Sequence, residues 1–271
     1  MIKSTVVALM TTLGAAALFA GSSQAQDVPS FASKGKVTFC ADATFPPMEF
    51  FEKTGDKTPT GFDVDLMQAL AKEWKVEAEI VTMDFAGLLP SLEANRCDVI
   101  ISGMFVTPAR TEKFDAVPYL ATASVLIAKE GVAPLSSLEE LSGKTVAVQT
   151  GTEFVKWFDK LNGELKAQGK PEVNVQLYPK ASDGIQQVLI GRSFTATTQD
   201  TEVAYRQLQN PGQLASIYTF EDVQKFGIYL RREGENKKAV EAALEALRAN
   251  GEMQKLAEKW NFPAQMLNVA Q

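Results

Sequence analysis

The run Asp98-Val99-Ile100-Ile101-Ser102-Gly103 constrains this chain more than any other stretch. Its apolar residues follow one another without polar alternation, which suits a strand buried on both faces of a parallel sheet. In open α/β sheets ligands sit in the crevice beyond the carboxyl ends of the strands. The chain leaves this strand through Ser102-Gly103 and then reaches Thr107-Pro108-Ala109-Arg110, so Ser102, the backbone N–H groups after Gly103 and Arg110 fall on the ligand side. A guanidinium matches a carboxylate through two parallel hydrogen bonds, and the other donors can serve the same anion. On spacing alone Arg110 reads equally well as a surface arginine at a helix start, with Asp115 as its partner.

Composition removes several alternatives. The chain contains no histidine and only two cysteines, Cys40 and Cys97, which excludes Ser-His-Asp and Cys-His nucleophile systems and His- or Cys-rich metal sites. No metal and no cofactor is expected. A net charge of −6 without a basic cluster argues against nucleic acid and acidic membrane surfaces as partners. At 271 residues the chain has room for one or two domains.

Residues 1–25 read as an export signal: Lys3 in the charged region, an apolar core from Val6 to Ala20, and Ser23-Gln24-Ala25 as a small-x-small cleavage site. The apolar core is shorter than the roughly 20 residues that a membrane anchor needs. A soluble periplasmic protein beginning at Gln26 is expected. Export permits a Cys40–Cys97 disulfide. The inferred topology opposes it, because Cys40 falls at the carboxyl end of one strand and Cys97 before the amino end of its parallel neighbour. Two buried free thiols are expected.

Beyond Gln26 strands and helices alternate. Lys36–Ala41 reads as a strand, the proline-rich Asp42–Phe50 as a rigid loop, and Gly61–Ala71 as a helix with Phe62, Leu66, Leu70 and Trp74 on one stripe behind an Asp cap. A strand at Val76–Val81 and a helix marked by Phe85, Leu88, Leu89 and Leu92 lead into the Asp98 strand. A second βα set follows: a short acidic helix over Leu135–Leu141, a strand over Lys144–Gln149, then Thr150-Gly151-Thr152-Glu153 at the start of a helix. Strands near Val173–Tyr178 and ending near Thr198 follow, with helices from Ser182 and Thr201. A strand over Lys225–Arg231 and helices over Asn236–Ala249 and Glu252–Trp260 close the chain. A strand-glycine-helix junction such as Gln149–Glu153 can receive an anion, although Gly-Thr at a helix start is more often only a cap.

The motifs Asp42-x-x-Phe45-Pro46-Pro47-x-Glu49-Phe50, Gly61-Phe62-Asp63-Val64-Asp65-Leu66, Ser102-Gly103-Met104-x-x-Thr107-Pro108-x-Arg110, Gln149-x-Gly151-Thr152 and Glu258-Lys259-Trp260 occur in order along nearly all of the mature chain. Together they resemble the polar amino-acid type of bacterial extracellular solute-binding proteins that serve ABC importers. The resemblance implies an α/β fold of the periplasmic-binding-protein kind, with two lobes of mainly parallel sheet flanked by helices and two crossovers near Ala121–Lys129 and Tyr218–Phe226. Lobe 1 would comprise 26–121 and 223–271, and lobe 2 would comprise 122–222. It further implies a monomer that holds an amino acid between its lobes and presents it to a membrane permease.

Carried over position by position, the resemblance implies that Arg110 pairs with the ligand carboxylate, assisted by Gly103 and Thr152, beside the Ser102 donor read from its place after the strand. Phe45 and Phe85 would form apolar walls, Asp42 a polar rim, and Asp200 the acid for the α-ammonium. Three positions depart from the pattern. Phe105 stands where Ser or Thr is usual, Glu153 where a second Thr is common, and Gly191–Asp200 runs one residue long, so that Gln199 could replace Asp200. Asp63 and Asp65 read as helix-start residues. Asp42, Glu153 and Asp200 against the single cation Arg110 favour a ligand with a cationic side chain, with glutamine-like neutral ligands as the alternative. An enzyme on the same scaffold, such as a cyclohexadienyl-dehydratase-like lyase, would need a cleft acid, for which Glu153 is the candidate.

Overall fold

The computed structural model describes residues 28–269, so the export signal expected over residues 1–25 lies outside the described residues. The elements are β1 (Lys36–Ala41), β2 (Thr44–Phe45), β3 (Glu49–Phe50), α1 (Phe62–Glu73), β4 (Glu77–Thr82), α2 (Leu88–Glu93), β5 (Val99–Ile100), α3 (Pro108–Thr111) and β6 (Phe114–Lys129). They continue with β7 (Thr145–Gln149), α4 (Glu153–Ala167), β8 (Asn174–Tyr178), α5 (Ala181–Leu189), β9 (Thr195–Gln199), α6 (Asp200–Gln209), β10 (Leu214–Arg231), α7 (Asn236–Ala249) and α8 (Glu252–Lys259). Among the described residues no helix is long and apolar enough to cross a membrane.

The strand order is β4-β1-β5-β10-β6-β9-β7-β8. On one side β4, β1 and β5 run parallel, and on the other β8, β7 and β9 repeat that arrangement. Between them the antiparallel ladder of β6 and β10 extends from Phe114↔Arg231 to Lys129↔Leu214 and so passes through both halves. The segments expected as crossovers, Ala121–Lys129 and Tyr218–Phe226, fall within these two strands. A register shift between Thr219 and Val223 interrupts the ladder at mid-length. The fold class is as expected, two α/β units of one plan.

Each half packs helices against its strands. Alternate residues of β1 divide between two clusters: Val37, Phe39 and Ala41 belong to the one that includes residues of α1, α7 and α8, while Cys40 belongs to the one that includes Leu88 and Leu92 of α2 and Ile100 of β5. The Asp98 strand is as buried as its composition requires, with Val99, Ile100 and Ile101 all at 0 % exposure, although only Val99 and Ile100 are paired as strand.

Three local expectations are corrected. The acidic helix over Leu135–Leu141 is a single 3-10 turn, Leu138–Leu141, capped by a Ser137–Glu140 capping box. The α1 start has no Asp cap. Its N-cap is Gly61, and the first helical N–H groups, of Phe62 and Asp63, donate to the carbonyls of Pro47 and Met48 at 2.9 and 2.8 Å. Backbone carbonyls thus do the work of a cap and leave the Asp63 side chain free to point inward.

The third correction concerns the cysteines, which form a disulfide, Cys40–Cys97, with Cα atoms 5.8 Å apart. Alignment of two parallel strands alone puts the thiols at opposite ends. In fact the chain entering β5 comes from α2 across the sheet face, with Arg96 N–H bonded to Ser91 O, and pairs as strand only from Val99. Cys97 therefore lies on the face to which Cys40 points. Closing a loop across 57 residues restricts the unfolded chain, a constraint worth about 2–4 kcal/mol. Reduction is expected to lower the urea unfolding free energy by that amount, and unchanged stability in reductant would contradict it.

Candidate ligand-binding site

Arg110 is set by a short local device. Thr107 is the N-cap of α3 and accepts from Arg110 N–H through Oγ1 at 3.4 Å, and Pro108 fills the first turn. The one-turn helix directs the guanidinium inward, where Arg110 is only 8 % exposed. Nη1 donates to Phe105 O at 2.8 Å and Nη2 to Gly151 O at 3.2 Å, so the group bridges the two halves. Glu153 Oε1 lies 3.9 Å from Nη2 and is also bonded to Lys156. The Phe85 ring sits 5.8 Å from the guanidinium carbon. Asp115, the alternative partner, instead faces Arg232.

The cavity in front of Arg110 is lined by Asp42, Phe45, Phe85, Ser102, Gly103, Phe105, Thr152 and Glu153, and by Glu49, Gln149, Phe154, Thr197, Thr198 and Gln199. Phe105, at the position where the resembling family carries Ser or Thr, uses its ring away from hydrogen bonding. It stacks on Phe226 at 5.6 Å and on Trp157 at 6.4 Å, and meets the edge of Phe154 at 5.9 Å. Because Phe154 and Trp157 belong to α4, this aromatic group joins the two halves behind the arginine.

At the other end Asp42 is 3 % exposed and accepts from Gln149 Nε2 at 2.5 Å across the cleft. Burial raises the Asp42 carboxyl to about 6, with hydrogen bonds from Thr44 and Gln149 limiting the rise and Asp84 adding to it. Asp200 is not among the lining residues. It opens α6 and accepts from Thr122 Oγ1 at 2.7 Å and from Thr201 N–H at 2.9 Å. The preceding residue, Gln199, forms the wall instead, beside Thr197, whose buried hydroxyl has no hydrogen-bond partner among the described residues. Glu49 and Gln149 stand within the quoted motifs, but no reasoning from spacing marked them as facing a ligand. Thr197 and Phe154 carried no such signal.

The cleft is closed. Besides the Arg110 and Asp42 bridges, Ala181 N–H donates to Thr44 Oγ1 at 3.2 Å, and Phe50 packs against Tyr205 with ring centroids 5.4 Å apart. The halves also approach closely at Gly151, whose φ is 84° and where a Cβ would lie 2.9 Å from Ala86 Cα. Both the left-handed backbone and the missing side chain are needed there. Gly151→Ala is therefore expected to hold the halves apart, raising the radius of gyration in small-angle scattering and weakening ligand binding. An unchanged closed radius would refute this.

The profile of the bacterial extracellular solute-binding proteins, family 3, matches residues 37–264. The ABC transporter arginine-binding protein 1 of Escherichia coli K12 is 31 % identical over 236 residues, covering 84 % of this chain and 91 % of that one. The L-cystine-binding protein TcyJ of the same strain is 30 % identical, covering 84 % and 83 %. Among solved structures, an ancestral arginine-binding protein bound to arginine superposes with a TM-score of 0.75 at 31 % identity, covering 83 % of this chain and 98 % of that one. The ancestral amino acid-binding protein AncCDT-1, a precursor of cyclohexadienyl dehydratase, superposes at 0.71 with 28 % identity, covering 85 % and 97 %. On residues 37–264 the chain belongs to the bacterial extracellular solute-binding proteins, family 3.

Proposed function

We propose that this protein is exported, starts at Gln26, and captures an amino acid with a cationic side chain between lobe 1 (26–121 and 223–271) and lobe 2 (122–222) for delivery to an ABC importer. The observation that carries the cationic preference is the charge balance of the cavity. Arg110 is the one cation among the lining residues, and Glu153 lies beside it. Asp42 at the far end meets neutral donors, among them the Gln149 amide, and no cation among the described residues. A buried carboxylate without a counter-charge is costly, and a ligand guanidinium or ammonium supplies one. The ligand carboxylate would take Arg110, with Ser102, Gly103 and Thr152 beside it, and its side chain would pass between Phe45 and Phe85 toward Asp42. The amide oxygen of Gln199 would receive the α-ammonium, since Asp200 is engaged with Thr122.

Closure follows from a ligand that touches both lobes, because its differential affinity favours the closed form. Holding rather than transforming the ligand is the reading that fits the relatives named as arginine- and cystine-binding proteins. Arginine recovered from the complex after long incubation is expected to be unchanged, and a new product would favour the enzyme alternative.

Arg110→Ala is expected to cost about 2–5 kcal/mol of arginine affinity in calorimetry while the protein stays folded. Wild-type affinity in the folded variant would exclude the assigned role. The Asp42 carboxyl, raised to about 6, adds a pH signature. A cation binds its ionised form, so arginine affinity should rise from pH 5 to pH 7.5, and Asp42→Asn should flatten that rise. An identical rise in Asp42→Asn, or tighter binding of glutamine than of arginine, would remove the basis for the cationic preference.

A further inference from the structure

Two acids, Glu49 in the lining of the cavity and Asp63 behind it, are given no ligand contact in the reading above. Glu49, in β3, is 1 % exposed, and Asp63, in the first turn of α1, is 0 % exposed. Their proximity follows from the α1 start, whose first N–H groups are bonded to the Pro47 and Met48 carbonyls immediately before Glu49. The two acids also take hydrogen bonds from adjacent residues, Glu49 from Ser102 Oγ–H and Asp63 from Gly103 N–H, which sets their carboxyl groups against each other.

Their donors are unequally shared. Asp63 accepts from Tyr119 Oη–H at 2.7 Å and from Gly103 N–H at 2.8 Å. Glu49 Oε1 accepts from Ser102 Oγ–H at 2.8 Å, but Glu49 Oε2 is buried with no donor. Ser102 Oγ in turn accepts from Asp42 N–H at 2.9 Å. Two adjacent ionised carboxylates, one with a bare oxygen, would be strongly unfavourable in such a site. A single proton on Glu49 Oε2 removes both problems, since the bare acceptor becomes the donor to Asp63. The chain of bonds is then complete: Asp42 N–H to Ser102, Ser102 O–H to Glu49, Glu49 O–H to Asp63, with Tyr119 O–H and Gly103 N–H also donating to Asp63.

We propose that Glu49 and Asp63 share one proton, carried on Glu49, and that this acid pair is the positioning element that fixes Ser102 and Gly103 where they face the ligand. The inference deepens the ligand-binding reading and rests on it for the second half only. The direction of the acid shifts agrees. Burial, and then the Asp63 charge, push the Glu49 carboxyl well above its usual range. Burial pushes Asp63 to about 6, held there by its bonds from Tyr119, Gly103 and Glu49. Burial and the two acids keep Tyr119 protonated as a donor. The groups acting on Glu49 are Asp42 from the loop after β1, Asp63 from α1 and Ser102 after β5, with no cation among them. Asp65, in the same first turn of α1 as Asp63, is instead bonded to Lys259 and Trp260.

The folded pair keeps a proton that the unfolded chain releases near the ordinary glutamate value of 4.5, so stability falls as pH rises above that value until the pair itself ionises. Infrared spectra at pH 7.5 are expected to show a protonated carboxyl C=O stretch that Glu49→Gln removes, and thermal unfolding is expected to decline less steeply with pH in Glu49→Gln than in wild type. A carboxyl band that survives in Glu49→Gln, or equal slopes, overturns the shared proton. L-arginine affinity should fall about tenfold or more in Glu49→Ala and in Asp63→Asn. Glu49→Gln, whose amide both accepts from Ser102 and donates to Asp63, should recover most of that loss. Equal losses in Glu49→Gln and Glu49→Ala overturn the positioning role, as does full affinity in Glu49→Ala. If wild type does not bind arginine, the ligand reading fails, while the infrared and unfolding results still decide the proton. If Asp63→Asn does not fold, the Glu49 variants carry the test.

Discussion

A guanidinium removed from water has to be surrounded by oxygen, and the way this chain meets that demand at Arg110 organises the rest of the cleft. The nearest acceptors come from different halves of the molecule, Phe105 O from one and Gly151 O from the other. Bonding of the arginine is therefore complete only when the halves are together. The same arrangement explains the backbone around it. Phe105 O must point at the guanidinium, and Tyr229 O–H at 2.6 Å reinforces that orientation. Gly151 must lie close enough for its carbonyl to reach, which leaves no room for a side chain against Ala86.

Closure is distributed over contacts of different chemistry. Near Arg110 it is polar and aromatic, with Phe105 stacked toward Trp157 and Phe154. At the far end it consists of Gln149 on Asp42, Ala181 on Thr44 and Phe50 on Tyr205. The two halves that carry these contacts are joined by the β6–β10 ribbon, whose ladder shifts register at Ser216/Tyr218, Thr219/Val223 and Phe226/Gly227. A ligand that adds bonds to both lobes needs to contribute only its differential affinity to shift that balance.

Much of this was legible in the sequence, because the signals were local. The unbroken apolar run at Val99–Ile101 called for a doubly covered strand, whereas the spacing of Thr-Pro-x-Arg left Arg110 open between the cleft and the surface, and only the family resemblance implied the cleft. What was not legible depended on how the chain crosses itself. The Cys40–Cys97 bridge required knowing that Cys97 lies over the sheet face before β5 begins, which no strand alignment reveals. The acidic segment Leu138–Leu141 has capping-box chemistry, yet it is a single turn: before it Leu135 N–H is bonded to Ile217 O, and after it β7 starts at Thr145. Asp63 carries the ordinary signature of a helix cap, and only the proximity of Pro47 and Met48 turns it inward. Asp200 and Gln199 are adjacent in sequence, and the end of β9 decides which of them faces the cavity.

The central claim is an orientation: carboxylate at Arg110, cationic side chain at Asp42. A crystal structure of the protein grown with L-arginine tests it most directly. The account predicts density for one ligand with its carboxylate within hydrogen-bonding distance of the Arg110 guanidinium and its own guanidinium against Asp42, between the rings of Phe45 and Phe85. A ligand lying the other way round, or one bound with Arg110 still engaged only by Phe105, Gly151 and Glu153, would contradict it.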